Sequence, residues 1–450
     1  MIERTLKKEI REWIQDGQEA LLVTGARQTG KTFLIRQCLQ EECCDYTELN
    51  FIERPELISI FEKTTDTKDL LFRLSAASTK PLQSGKTIFF LDEIQECREL
   101  VTKVKFLVDE GSCRFIMSGS LLGIELSDIR SAPVGYLRIL DLFPLDLEEF
   151  ARAAGVHEET FTHLRTCFEM LQPVDAFIHN KMLDLFYLYL IIGGMPRAVD
   201  EYLNTNDLRK TAQIHQMIIR LYKQDFSKYE TNYKLRLQEI YDAMPGELNS
   251  PNKRFHINKL GKGTSYDRVA NDFLWLKDAG VALPVYNLKE PRLPFVMNAS
   301  RNLFKLFFSD VGLLTSLYSD QTKLKILDKN PDINKGALFE NAVAQELASH
   351  HMPLYYFNSK SQGELDFVTE MDGEAIPIEV KSGKAYNRHN ALCNVLKNDN
   401  YKIHRAYILS TSNIETDGKK IYLPVYMMMF LRQHELKESQ RIYKIDLTGI

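Results

Sequence analysis

Two stretches of this chain carry residue types that could do chemistry. The first is Leu21-Leu-Val-Thr-Gly25-Ala-Arg-Gln-Thr-Gly30-Lys31-Thr32. Gly25, Gly30, Lys31 and Thr32 have the spacing G-x-x-x-x-G-K-[ST]. An apolar run of buried-strand type precedes them and a helix-permissive segment, Phe33 to Gln40, follows. The glycines let the backbone turn tightly enough for the N–H groups of Gly25, Ala26, Arg27, Gln28, Thr29 and Gly30 to face an anion. Lys31 sets an ammonium beside the β- and γ-phosphates and Thr32 offers a hydroxyl to Mg²⁺. The helix that starts there aims its positive end at the charge. The spacing predicts a phosphate-binding loop that takes ATP with Mg²⁺.

Its chemical partner follows in Thr87-Ile-Phe-Phe-Leu-Asp92-Glu93, four apolar residues ending in two acids. A parallel strand covered on both faces reads this way, and ligands sit at the carboxyl ends of such strands. Asp92 is expected to hold Mg²⁺ through water, with Glu93 polarising the attacking water as general base. Cys113 to Ser120 is a further short apolar run ending in small polar residues, so Ser118 or Ser120 could sense the γ-phosphate. Arg130 and Arg138 are candidates for a phosphate-sensing arginine, with a surface ion pair as the plainer use of each.

The second stretch is an acidic hairpin. Glu364-Leu-Asp366-Phe-Val-Thr-Glu370 and Ala375-Ile-Pro-Ile-Glu379-Val-Lys381 flank Asp372-Gly373, a strong two-residue turn signal. Counting outward from that turn, Met371 faces Glu374, Asp366 faces Glu379 and Glu364 faces Lys381. Two carboxylates about 5 Å apart on one face destabilise a sheet unless a cation lies between them. Asp and Glu oxygens suit Mg²⁺ or Mn²⁺, and Lys381 could stabilise charge developing on a phosphate. Pro377 inside the second strand implies an edge or a bulge. The alternative is a solvent-facing hairpin with ordinary charges.

The elements between these stretches must position them. A charged amphipathic helix spans residues 1–20. A helix, a Gly193-Gly194 turn and a second helix lie between Asn180 and Tyr202, a plausible lid over the nucleotide. Residues 255–286 read as short helix, turn, helix capped by Thr264 or Ser265, then strand. That order resembles a winged helix with a basic edge of Lys253, Arg254, Lys259, Lys262 and Arg268. The edge suits duplex binding, and a use in protein contacts stands beside that reading. Lys384, Arg388, Lys397, Lys402 and Arg405 follow the acidic hairpin and could attract a phosphate backbone.

Composition sets the outer bounds. At 450 residues, with 44% hydrophobic and 26% charged residues, the chain suits two to four globular domains. Its net charge of −4 excludes neither nucleic-acid nor protein partners. Seven scattered cysteines without C-x-x-C spacing read as reduced thiols. No apolar stretch reaches a membrane span, so the expected setting is cytoplasmic and away from membranes.

Taken in order, GARQTGKT, FFLDEIQ, FIMSGS, Leu140-Asp-Leu-Phe-Pro144-Leu-Asp-Leu-Glu-Glu149-Phe150 and Gly193-Gly194-Met-Pro196-Arg-Ala-Val resemble a family of prokaryotic AAA+-like ATPases whose C-terminal part is a domain of unknown function. The resemblance runs over essentially the whole chain. It departs at Gly135-Tyr136, where many relatives have Gly-Arg, and at Pro196-Arg197, where they have Pro-Glu. The first departure leaves an arginine finger without a location, so both a ring and a monomer stay open. The D-x(12)-E-x-K arrangement resembles the PD-(D/E)XK nuclease superfamily, in which the preceding helix commonly supplies a further Glu. Glu340, in Gly336 to Glu346, fits that place.

The resulting expectation is an α/β protein: a P-loop NTPase parallel sheet with a helical lid, followed by a winged-helix domain and a restriction-endonuclease-like α/β domain. The boundaries are 1–165, 166–235, 236–325 and 326–450. ATP and Mg²⁺ are the expected cofactors. Nucleic acid, DNA before RNA, is the expected partner of a C-terminal half that cleaves with Glu340, Asp366, Glu379 and Lys381. In the competing expectation that half is a non-catalytic recognition module under a regulatory ATPase, with a protein or nucleic-acid partner.

Overall fold

Every residue of β1 (Ala20–Thr24) is buried, on both faces, which requires a sheet covered by helices on both sides. Four parallel strands join it: β2 (Tyr46–Asn50), β3 (Ile88–Asp92), β4 (Arg114–Ser118) and β5 (Leu137–Asp141). Their order is β2-β3-β4-β1-β5. Alternate residues divide between two cores. Leu22, Phe89, Leu91, Phe115 and Met117 pack with Leu70, Leu74, Leu100 and Leu107. Leu21, Val23, Ile88, Phe90 and Ile116 pack against α1 (Lys7–Asp16) through Ile10 and Trp13, and against α2 (Lys31–Glu41) through Leu34, Ile35 and Cys38. This strand order sets β4 between β1 and β3, so the carboxyl ends carrying Gly25, Ser118 and Asp92 are neighbours.

The structure, a computed structural model, describes residues 2–64, 66–78, 81–120, 135–226, 231–261, 264–383 and 386–433. Arg130, Lys262 and Lys384, singled out above, lie outside them. Two compact units divide the chain, and neither is continuous in sequence. The first is Met1–Phe161, Asp184–Pro284 and Lys305–Gln345; the second is Thr162–Leu183, Val285–Phe304 and Glu346–Ile450.

In the first unit the Gly193-Gly194 turn ends the helix Ala176–Ile192 and precedes the helix Pro196–Thr205, as the spacing predicts. The turn is tied on several sides. Leu145 N–H donates to Gly194 O at 2.7 Å, and Gly194 N–H donates to the buried Asp310 carboxylate at 2.5 Å. Gln345 Nε2 and Tyr189 Oη both donate to Leu145 O, at 3.3 and 2.7 Å. A Cβ on Gly194 would lie 2.0 Å from Leu145 O, and backbone cannot yield cheaply. Gly194→Ala is therefore expected to cost about 2–3 kcal/mol, seen as a lowered Tm in scanning calorimetry.

Further along the same unit come a 3₁₀ turn, Ile257–Leu260, and a helix, Tyr266–Asp278. Ser265 occupies the N-cap position, but its side chain makes no capping hydrogen bond.

The second unit is built on an eight-stranded sheet. Its strands are β6 (Ala282–Leu288), β7 (Ala299–Phe308), β8 (Tyr355–Ser359), β9 (Gly363–Met371), β10 (Glu374–Val380), β11 (Ala406–Ser410), β12 (Glu415–Asp417) and β13 (Lys420–Pro424). The order is β12-β13-β11-β10-β9-β8-β6-β7, and the boundary between units falls inside β6 and β7. Asp372 and Gly373 have φ of 53° and 78°, the paired positive values a type I′ turn needs. The register is the expected one: Met371 pairs Glu374 and the ladder runs to Phe367 opposite Ile378. The edge position inferred from Pro377 is overturned, because β10 lies between β9 and β11. The parallel ladder to β11 starts at Ile378, so the missing N–H of Pro377 falls just before it and costs no ladder bond there.

Candidate functional site: a phosphate-binding loop beside an acidic strand end

The loop after β1 has the geometry that its glycines imply. Gly25 has φ 138°, and a Cβ there would lie 2.2 Å from Leu142 O. Gly30 has φ 92° and forms the N-cap of α2, leaving the first helical N–H groups directed outward. Lys31 is buried and donates to Gly25 O at 3.0 Å and Ala26 O at 2.8 Å. Burial lowers its ammonium to about 8, although Glu93 and Asp92 pull the other way.

Thr32 Oγ1 donates to Asp92 Oδ1 at 3.0 Å, so the two groups expected to share Mg²⁺ already touch. Ser118 Oγ donates to the same carboxylate oxygen, and Asn50 Nδ2 donates to the other at 2.9 Å. Burial pushes the Asp92 carboxyl up, with the hydrogen bonds from Ser118 and Thr32 opposing the shift. A divalent cation would relieve that burial penalty, and a hydroxyl with a carboxylate is the oxygen set that Mg²⁺ takes. Asn50 escaped the sequence analysis. Its only signal is a place at the end of β2, a strand whose alternating pattern was not recognised.

The loop opens into a cavity of about 670 Å³, a volume that holds a mononucleotide. Glu93, Ser120, Pro196, Arg197 and Asp200 line it together with the loop. The two serine candidates thus separate: Ser118 is held by Asp92, while Ser120 is a buried residue at the cavity wall. Arg27 is drawn to Asp225 at 2.8 Å, and its carbonyl accepts from Tyr222. Gln28 adopts φ 68°. Thr29 is fully buried, its hydroxyl donating to Ala26 O at 2.9 Å. Arg138 makes an ion pair with Glu9 at 3.4 Å, its plainer use.

A buried pair reaches the loop from far away in sequence. Arg4 Nε donates to Glu149 Oε2 at 3.0 Å, and its two other nitrogens donate to Thr29 O at 3.0 Å and Phe143 O at 2.6 Å. Thr5 N–H donates to the second Glu149 oxygen at 2.6 Å. One guanidinium therefore joins the chain start, the phosphate loop and the turn before the helix Leu147–Ala153. Desolvation raises the Glu149 carboxyl, and Arg4 opposes it. Sequence alone gave Arg4 no signal, since its partners lie 25 to 145 residues away.

In the second unit, Asp366 and Glu379 are the next residues on each strand beyond the Phe367–Ile378 pair. Asp366 Oδ2 accepts the Val380 N–H at 2.8 Å, and Lys381 Nζ donates to Glu379 Oε2 at 2.7 Å. Glu364 accepts from Asn358 of β8. Glu340 belongs to the first unit, where Lys253 and, at 3.9 Å, the fully buried Lys305 neutralise it.

The basic edge is partly engaged too. Lys253 serves Glu340, and Lys259 joins His256 on the buried Glu247. Arg254 is half-buried and Arg268 exposed. Beyond the hairpin, Arg405 approaches Asp372 and Glu374, while Arg388, Lys397 and Lys402 are exposed. The seven cysteines are free thiols, and no described helix is long and apolar enough to cross a membrane.

Known proteins match this chain in pieces. Residues 183–325 and 335–428 each match a family described as a domain of unknown function. No curated protein sequence gives a significant match. Among solved structures, a Walker-type ATPase of Pyrococcus abyssi is similar at 16% identity and a TM-score of 0.45, over 70% of this chain and 96% of that one. The Aeropyrum pernix Orc1 protein in complex with DNA is similar at 14% and 0.30, over 73% and 94%. A structure of Pif1 helicases at forked double-stranded DNA is similar at 17% and 0.23, over 40% and 51%. Residues 17–151 match a family described as an AAA domain, and in this stretch the loop of Gly25–Thr32 is set against Asp92 on a parallel sheet, the arrangement of a P-loop ATPase.

Proposed function

We propose that the protein binds and hydrolyses ATP and that its nucleotide state controls a C-terminal half acting on nucleic acid, DNA before RNA. The observation that carries the ATPase part is the meeting of Lys31, Thr32 and Glu93 on one cavity, with Asp92 hydrogen-bonded to Thr32 behind them. Lys31 and the α2 N-terminus bind the phosphates, and Thr32 and Asp92 would hold Mg²⁺, which would supply positive charge toward the transferring group. Glu93 takes a proton from the attacking water.

For the second half, the acids Asp366 and Glu379 beside Lys381 support metal-dependent phosphodiester cleavage, in which the two carboxylates would hold Mg²⁺ or Mn²⁺. Glu340 is left out of that set, because two lysines already balance its charge. The elements from Ile257 to β6 support a winged helix as the duplex-binding part. A second reading draws on the engaged Lys253 and Lys259: the C-terminal half recognises a partner without cutting it.

Incubation with DNA or RNA and Mn²⁺ separates the two. Cleavage by the wild type that falls by about 10²-fold or more in Asp366→Ala supports the nuclease reading. Equal cleavage by both proteins, or none by either, leaves the recognition module.

A further inference from the structure

Beyond the phosphate loop, α2 lines the cavity with two pairs of residues, each spaced four apart and so stacked along one side of the helix. Thr32 and Arg36 make the first pair. Thr32 bonds to Asp92, and Arg36 Nε donates to Glu48 Oε2 at 3.0 Å, so this side gathers the carboxylates and belongs to the metal. Phe33 and Gln37 make the second pair, about 100° further round the helix. That side turns to α1. Gln37 Nε2 donates to Glu41 Oε1 at 2.8 Å, and Glu41 accepts from Lys7 at 2.9 Å and from Arg11 at 2.5 Å.

Phe33 is 58% exposed although it lines the cavity. An aromatic ring left open beside a phosphate loop offers a flat apolar face to a nucleobase. Ile2 shares the cavity, two residues before the Arg4 that bonds to Thr29 O at 3.0 Å. Ile52, also exposed on the cavity, belongs instead to the turn after β2, whose Asn50 bonds to Asp92 on the metal side. With the phosphates at the loop, a base therefore finds its apolar seat at Phe33.

Gln37 adds a polar edge whose sense is fixed. Its partner Glu41 can only accept, because hydrogen bonds from Lys7 and from Gln37 hold that carboxyl down at about 2. The amide must turn its nitrogen to Glu41. Its oxygen has no hydrogen-bond partner among the described residues and is left for another donor. Adenine presents such a donor in its exocyclic 6-amino group. A purine with oxygen at that position presents a lone pair instead, and two acceptors facing each other repel.

We propose that Phe33 and Gln37 form the nucleobase subsite, Phe33 stacking on the ring and Gln37 Oε1 selecting the 6-amino group of adenine. This rests on the ATP reading above and names what separates ATP from other purine triphosphates. Lys7 and Arg11, acting through Glu41, make α1 the support of that selection.

The test is displacement of a ribose-labelled ADP from the full chain by ATP and by ITP, which carries oxygen at position 6, with Mg²⁺ present. The wild type should bind ATP about 10–100-fold more tightly than ITP. Gln37→Ala and the volume-matched Gln37→Met should bring the two within about threefold, chiefly by weakening ATP. Glu41→Gln, whose amide donates as well as accepts, frees Gln37 to flip and should lower the ratio by about threefold or more. Phe33→Ala should weaken both nucleotides by about tenfold and keep their ratio. Equal affinity for ATP and ITP in the wild type, or a preference that survives both Gln37 variants, overturns the role of Gln37 while leaving the phosphate loop intact. Unchanged affinities in Phe33→Ala overturn the stacking wall. A wild type that binds neither triphosphate nor the labelled ADP overturns the ATP reading and this subsite together.

Discussion

Lys31→Ala is expected to abolish ATP turnover, with kcat/KM falling by about 10²–10³-fold or more while the fold survives. The alanine removes the Lys31 ammonium held against the loop, but leaves the glycine backbone and the α2 terminus in place. In the structure that ammonium bridges the Gly25 and Ala26 carbonyls, so phosphate must displace an existing pair of hydrogen bonds. Burial holds Lys31 at about 8. Below that pH it is charged; above it, neutral. Bound phosphates favour the charged form, so binding takes up a proton near and above pH 8. Affinity for ATP should fall as pH rises through 8, by up to about tenfold per pH unit. Titration calorimetry in buffers of different ionisation enthalpy reads the proton, and Lys31→Ala should remove this component. Unaltered turnover in that variant would refute the assignment of the loop.

Breaking the Arg4–Glu149 pair carries the second large effect. Both side chains are 8% exposed, so removing one leaves the other charge buried and alone. Arg4→Ala should destabilise the first unit by about 3–5 kcal/mol in denaturant unfolding, Glu149→Ala by a similar amount. Replacing both with apolar residues of similar volume, Arg4→Met with Glu149→Leu, should recover much of that loss. It should not recover ATP affinity, because the Thr29 carbonyl loses the donor that orients the loop. Stability that returns together with full affinity would reduce the pair to a packing role.

What could be read in the sequence was local. The phosphate loop spans eight residues, and its glycines and lysine specify their own geometry. The hairpin register follows from Asp372-Gly373 because a two-residue turn leaves only one pairing. What could not be read depends on distant contacts. Asn50 and Arg4 act through residues brought near by the strand order, and nothing beside them in the sequence signals it. Pro377 misled because proline usually marks an edge; here the ladder simply starts one residue later. Lys253 and Lys259 looked available for phosphates because Glu247 and Glu340 are remote or unremarkable in sequence.

Asp310 and Gln345 complete the support around Gly194 and Leu145, yet they lie more than a hundred residues further along the chain. A ribosome must therefore release the segment Lys305–Gln345 before the nucleotide-binding unit can close its own hydrogen bonds. A shortened product ending near residue 300 would leave the Gly194 N–H without its carboxylate acceptor, inside a packed interior. For this protein, cutting out the unit that bears the phosphate loop as a separate module means keeping pieces from three places along the polypeptide.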